Sequence, residues 1–568
     1  MKVEQNVSNL NIRQTPKRFT NKQIKQNPNF TGGVDMALRF LDTNQAWGAC
    51  AVDLGCMVLP RTITDFSRGT DAGMETARRE GTGTVNHSLV GAYGSLAGLA
   101  LATSINKAFN LIDNDIKASS IFADSETLDL HGKIYDQKLK AWDNSLKNGS
   151  KSNTSISPLK EYLKETLKNY EVLNPNDNGK WVTLKDEEIE KTANILEKEI
   201  TSGNKKISKE AFNNAKNTII SSIGAENNFR IIANIGDKPH TSRYTADYIV
   251  ENLYKLGKVF SKDTVQAAFR DSADISKNVF LKSMKSMNMK RSLIGIGIAS
   301  AIGVSAQPVN MYLTKKKTGK SGFVGGGGED KSTGFKIKKG LFAALFGTGV
   351  LATIGKPQDL IKNLQFKGFT PTIKQFKFIY GVTIMSRFLS ARNDNELTES
   401  TIKDTLGFAN WLILGNFVQK LVAQSLDKSL IKKDGDGVMK WITNSVLKSR
   451  DEILHSSLGE KAFKDGKALK YNEMVKLADK ATKKKLRILS LAQVIGYAYS
   501  GLVLGRGIPK LNIYLTNRRE AKKAAENKTQ TQDANVKTAQ PTMTANETDE
   551  MLKPSNIEFL TNNQKHLA

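Results

Sequence analysis

The sequence predicts an all-α protein, specifically a polytopic helical membrane protein built from two duplicated repeats, with charged helical inserts and disordered termini. Three observations predict it. Charge-free apolar segments alternate with charged amphipathic ones, no alternating strand pattern of useful length interrupts them, and short motifs recur in the same order in both halves.

The apolar segments come first. Residues 82–106, 292–314, 340–355, 405–419 and 488–505 carry no charged side chain; 44–60 is comparable apart from Asp53, and 378–386 is shorter. A spanning helix needs about 20 apolar residues, with a range of about 17–25. The first two meet that length, 488–505 sits at its lower edge, and the others need flanking residues. Small residues recur four apart at Gly94 and Gly98, at Gly295, Ala299 and Gly303, and at Gly501 and Gly505. That spacing lets helix backbones approach closely, as membrane helix pairs do. It also suits the buried helices of a large soluble bundle.

Between them lie the charged stretches 111–285 and 428–485. Leu159, Tyr162, Leu163 and Leu167 share one helical face, as Leu184, Ile189, Leu196 and Ile200 do more loosely. The expected organisation is a disordered 1–30, apolar helices at 31–110, a charged insert at 111–285, an apolar helix at 286–318 and a Gly/Lys-rich linker at 319–337. Apolar helices at 338–427, a short charged insert at 428–485, an apolar helix with a basic end at 486–523 and a disordered tail at 524–568 follow.

The duplication rests on four matches. Ser67-Arg68 pairs with Ser386-Arg387, Lys180–Thr183 with Lys440–Thr443, Lys209–Phe212 with Glu460–Phe463, and the motif of Pro308, Asn310 and Tyr312 with that of Pro509, Asn512 and Tyr514. Their separation shrinks steadily from 319 to 201 residues, as a larger insert in the first copy would produce. The last match needs one inserted residue, placed after the proline. Proline should break or bend each helix, and the Asn-x-Tyr-Leu-Thr strip, followed by Lys315–Lys317 or by Arg518 and Arg519, reads as an interfacial end.

Composition bounds the function. The 568 residues include 84 Lys+Arg against 56 Asp+Glu, a net charge of +28, and two cysteines. That length excludes a short disordered peptide and two cysteines exclude a disulfide scaffold. The mean hydropathy of −0.38 excludes a chain that is mostly membrane. Cys50 and Cys56 lack C-x-x-C spacing and are expected as free thiols. Residues 1–30 hold no apolar run of signal-peptide length.

Catalytic motifs fail on inspection. Thr318–Ser321 lacks the distal glycine of a P-loop. Asn174–Gly179 has Asn at the first position of an EF-hand loop and Lys185 at the twelfth. The histidines, His87, His131, His240, His455 and His566, lie beyond helical reach of one another. No catalytic residue, cofactor or metal ligand is therefore expected. The stretch from Pro357 through Asp359 to Lys362 resembles, over six residues, the P-x-[DE]-x-x-[KR] signature of mitochondrial carriers. Pro308 and Pro509 lack its acid and spacing, and the carriers' threefold repeat is missing, so nothing is carried over from that family.

One charged cluster stands beside an apolar segment. Glu75, Arg78, Arg79 and Glu80, with Arg61, Asp65 and Arg68, read either as an ion-paired interfacial helix or as part of a polar cavity. Arg61, Arg68, Glu75 and Arg387 are the expected lining of such a cavity at the repeat interface. The expected partner is the lipid bilayer, with anionic lipid contacts through basic segments and basic loops on the cytoplasmic side. Two function classes follow: a transporter-like or scaffolding membrane protein, or a soluble or peripheral basic protein of the cytoplasm that binds anionic lipid or nucleic acid.

Overall fold

A computed structural model describes residues 33–43, 45–111, 116–148, 157–173, 181–223, 231–235, 238–319, 328–413, 417–432, 437–438, 441–442, 446–464 and 467–538. They are overwhelmingly helical. Among them, three helices are long and apolar enough to cross a membrane: Val279–Thr318, Thr333–Ile354 and the helical run Lys480–Glu526.

The first half opens with α1 (Gly33–Thr43) and α2 (Gln45–Asp53). A π-helical turn (Leu54–Val58) leads to α3 (Leu59–Phe66), and α4 (Thr70–Leu101) and α5 (Thr103–Ala108) follow. Gly69, at φ 117°, makes the sharp entry to α4 that a side chain would resist. The first insert holds α6 (Ser125–Lys147), α7 (Pro158–Lys168), β1 (Tyr170–Leu173), β2 (Trp181–Thr183), α8 (Asp186–Thr201), α9 (Lys209–Ile223), β3 (Ile231–Ile235), β4 (Lys238–Tyr244), α10 (Ala246–Phe260) and α11 (Asp263–Arg270). Its strands form an antiparallel sheet in the order β2-β1-β3-β4. The long α12 (Val279–Thr318) then returns. Asn278 caps it by accepting from Leu281 N–H.

The second half runs through α13 (Thr333–Ile354), α14 (Leu360–Asn363), α15 (Ile373–Ser390), α16 (Asp394–Phe408), a π turn (Ala409–Ile413) and α17 (Phe417–Leu426). A small second insert carries α18 (Arg450–Leu458) and α19 (Tyr471–Leu477). The half ends with α20 (Lys480–Tyr499), a π segment (Ser500–Gly507) and α21 (Ile508–Thr538). The Thr372/Gln375 capping box starts α15, and Asn393 starts α16 by accepting from Glu396 N–H. The chain divides into two units within α21, the first ending at Ile513.

In the first unit α12 packs along α4 and α15, while the π segment 500–507 packs on α3 and the turn at 54–58. The contact of α4 with α12 is close: a Cβ on Gly295 would stand 2.9 Å from the Gly94 nitrogen, the backbone approach that small residues permit. The two ends of α12 sit in different cores. Phe280, Leu281, Met284 and Met287 belong to the insert's core, and Ile296 and Ala299 to the bundle's.

Several expectations need correction. The insert contains a sheet; its strands are too short, and their pairing too non-local, to leave a period in the sequence. Trp181–Thr183 is strand β2 whereas Trp441 and Ile442 are helical, and Lys180, Lys440 and Thr443 lie outside the described residues. Lys209–Phe212 opens α9, whereas Glu460–Phe463 spans a 3-10 turn and a strand. Ser67-Arg68 lies in the break between α3 and α4, whereas Ser386-Arg387 is inside α15. These three matches are therefore not equivalent elements.

The helix α12 continues through Pro308 to Thr318. This proline is exposed, and only one amide donor is lost there. Residues 524–538, expected as part of the tail, are helical; Ala, Lys and Glu favour helix, and Lys522 and Glu526 pair one turn apart. Residues 1–32 and 539–568, and the EF-hand-like segment Asn174–Gly179, lie outside the described residues. Cys50 and Cys56 are free thiols, as expected.

Candidate functional site: a buried charge cluster between the halves

The polarity of the bundle is partly inverted: large apolar side chains lie on its surface and charged ones in its interior. On α13 the residues Ile337, Leu341, Leu345 and Leu351 face outward, and only 22% of its most apolar stretch is buried. Leu89, Leu96 and Leu99 of α4 and Leu491, Val494 and Leu502 near the end of the unit are also exposed. Beside an apolar core that includes Ile379, Ile384 and Phe388, the interior also holds Asp53, Arg61, Glu75, Arg79, Glu80, Arg387, Arg392, Glu396, Lys403 and Asp404, all buried.

The centre is a quartet, two charges from each half. Arg387 of α15 donates from Nη2 to Glu80 Oε2 on α4 and from Nη1 to Asp404 Oδ1 on α16, both at 3.1 Å. Arg61 of α3 lies 3.7 Å from Glu80 and 4.0 Å from Asp404. Arg79 and Lys403 each reach Glu80 Oε1 at 3.3 Å. Two glycines make room: Gly407 lies against Arg61, where a Cβ would come within 2.9 Å of Nη2, and Gly83 lies beside Arg387. One turn on, Thr84 donates to Asp53 at 2.6 Å. His87, one turn further, packs between Phe376 and Tyr380 and has no hydrogen-bond partner on either nitrogen.

Toward the start of α4 and α16 the pairs cross between halves. Arg68 grips both oxygens of Glu399, at 2.9 and 2.5 Å. Arg392 donates to Glu75 Oε1 at 2.7 Å and to both oxygens of Glu396 at 2.9 Å. A cavity of about 40 Å³ opens there, with Arg68, Glu75, Thr76, Glu399, Ser400 and Asn512 on its walls.

Of the expected lining residues, Arg68 and Glu75 border this cavity, while Arg61 and Arg387 sit in the quartet. Asn310 accepts from Arg78 at 3.2 Å and Asn512 donates to the Glu399 carbonyl at 3.0 Å. Tyr312 and Tyr514 are both exposed. Pro308 is exposed and Pro509 borders the cavity, so the two prolines are not equivalent.

Sequence reasoning missed Arg392, Glu399, Lys403 and Asp404 as cavity and quartet residues. A signal for them exists. Arg68, Glu75, Thr76, Arg79, Glu80, Gly83 and Asn86 have counterparts 324 residues later in Arg392, Glu399, Ser400, Lys403, Asp404, Gly407 and Asn410. The match is in residue character and spacing rather than in any run of identical letters. The C-terminal match also changes register. Gly295 and Gly496 are 201 apart, whereas Gly303 and Gly505, like Asn310 and Asn512, are 202 apart. The extra residue falls by the π segment 500–507, not after the proline, and a π turn is how a helix absorbs one residue. In this register residues 303–311 and 505–513 have identical burial at every position.

The first insert carries a different polar site. His131 hydrogen-bonds Tyr162 at 2.7 Å and Tyr170 at 2.9 Å. Burial pushes its pKa down to about 3, against a weaker upward pull from Asp124. A cavity of about 830 Å³ beside α9 and α10 is rimmed by Lys117, Lys205, Lys206, Lys209 and Lys255.

Compared with known families, curated proteins and solved structures, the chain matches none. Among the described residues, no three His, Cys, Asp or Glu side chains converge as a metal site.

Proposed function

We propose that this chain is a polytopic helical membrane protein of transporter-like build, with a polar axis enclosed between two halves that arose by duplication. The observation that carries the reading is the inverted polarity. A bundle with leucines outside and ten charged groups inside suits hydrocarbon surroundings, where intramembrane charges face the bundle interior and mark functional paths. The duplication is supported by the 324-residue register and by ion pairs that cross reciprocally: Arg68 to Glu399, and its counterpart Arg392 to Glu75. A scaffold needs no charged axis, so the transporter-like reading is preferred. The basic end Lys315–Lys317 is assigned to the cytoplasmic side.

The test is extraction of isolated membranes. The chain should stay in the pellet through high salt and alkaline carbonate; recovery in the salt-wash supernatant overturns the reading. The lysine-rimmed cavity of the insert supports the anionic-lipid contact as well. Flotation with phosphatidylserine vesicles, and its absence with neutral ones, is the expected result for an insert that meets the membrane surface.

A further inference from the structure

The two halves are not equivalent at the axial cavity, and the difference creates an unfilled site. In the second half Glu399 is fully engaged, because Arg68 uses two nitrogens on its two oxygens. Glu75, the counterpart of Glu399, receives one bond, on Oε1. Its Oε2 is buried with no hydrogen-bond partner. The cause is one residue. Arg392 is drawn aside by Glu396, which takes bonds from its Nε and Nη2, whereas the position equivalent to Glu396 in the first half is Ala72, and the other acid near Arg68, Asp65, stays 3.9 Å from its Nη1, beyond hydrogen-bond reach.

Asn512 supplies a second orphan. Its amide nitrogen donates to the Glu399 carbonyl, which fixes the side-chain orientation and leaves Oδ1 buried without a partner. Both residues border the same cavity, with the Ser400 hydroxyl beside them. Most buried acceptors are satisfied in native proteins, so two orphaned oxygens on one small cavity point to a cation or a donor. The walls carry Asp65, Glu75, Glu396 and Glu399 against Arg68, Arg79 and Lys403, with Arg392 bonded to Glu75 and Glu396 as the fourth cation. The volume, about 40 Å³, is that of one small ion or water. One free carboxylate oxygen with amide and hydroxyl oxygens is a hard-oxygen set of low charge, which fits a monovalent cation better than a divalent one.

We infer that the axial cavity binds a single small monovalent cation of the sodium class through Glu75 Oε2, Asn512 Oδ1 and the Ser400 hydroxyl. The site rests on the polar axis proposed above and gives that axis a coupling ion.

The experiment uses the purified full chain in detergent. Its Tm is followed against sodium, lithium or potassium chloride, with choline chloride holding ionic strength constant and sodium gluconate separating cation from anion effects. A saturable rise in Tm with one alkali cation, the same in chloride and gluconate, is expected. Glu75→Gln should weaken the response roughly tenfold or more. Glu75→Gln also disturbs the Arg392 pair, so Glu396→Ala provides a second variant. It recreates the Ala72 arrangement, frees Arg392 to grip both Glu75 oxygens, and should abolish the response with Glu75 still present.

A Tm indifferent to all three cations overturns the inference, and so does a response that follows chloride or survives Glu396→Ala. A chain that resists carbonate yet ignores cations rejects the site and leaves the membrane reading standing.

Discussion

On the proposed membrane reading, the first insert and the helical bundle answer opposite solvents with the same twenty side chains. The insert buries Tyr135, Tyr162, Phe260 and Phe269 ring against ring. It keeps many charges at its surface, as in Arg270–Asp143 and Lys285–Asp129, and buries a few, Asp124, Glu126 and Lys258 among them. That is the order water imposes, since apolar area gains about 25 cal/mol per Å² on leaving it. The bundle places Arg61, Glu80, Arg387 and Asp404 at its centre and Leu341 and Leu345 on its exterior. Water would penalise both choices. Lipid would reverse the second penalty, and the pairing of charges across the halves offsets part of the first. Helix α12 passes through both regimes, its first turns in the insert's aromatic core and its remainder in the bundle.

The comparison is broken most severely at the quartet. Arg387→Met leaves Glu80 and Asp404 buried beside fewer cations, and should destabilise the bundle by about 3–5 kcal/mol. Thermal unfolding in detergent would register the loss. Next in size is an outward change. Leu345→Lys on α13 should cost about 2.5–3.5 kcal/mol of membrane insertion, read as a reduced inserted fraction, whereas Leu146→Lys at the exposed C-terminal end of α6 should change stability by less than about 0.5 kcal/mol.

The insert should also respond to acid through His131. Its imidazole is neutral when folded, with a pKa near 3, and takes a proton near pH 6.5 when unfolded. The unfolded state therefore binds more protons between those values. This contribution to stability is present above about pH 6.5 and is lost as pH falls, by at most about 1.4 kcal/mol per unit. Insert unfolding monitored by tyrosine fluorescence should be less acid-sensitive in His131→Gln. The smallest effect belongs to the surface. Arg270→Ala, removing the half-exposed pair with Asp143, should cost about 0–1 kcal/mol, seen as a small fall in the insert's urea midpoint.

The sequence made the helices legible because amphipathic and apolar periods persist over long stretches, as at Leu159–Leu167 and along 292–314. It made half of the cluster legible, since Arg61, Arg68 and Glu75 stand beside an apolar segment. Their partners on α15 and α16 lie more than 300 residues away, and no local period records such a pairing. The proposed duplication was visible where letters are identical, in the Asn-x-Tyr-Leu-Thr strips. Where Arg is replaced by Lys or Glu by Asp, as at Arg79/Lys403 and Glu80/Asp404, the chemistry persists and the letters do not. The sheet escaped because strands of three to seven residues leave too little alternation to detect.

The central claim, that lipid and not water covers the outward leucines of the bundle, is tested most directly by cysteine labelling in native membranes. Leu345→Cys and Leu146→Cys would be compared in a Cys50→Ala, Cys56→Ala background with a water-soluble maleimide. Both positions are exposed, at 66% and 53%. Rapid labelling at 146 with none at 345 until the membrane is dissolved is the predicted result. Equal, rapid labelling at both positions in intact, unsealed membrane fragments would contradict it.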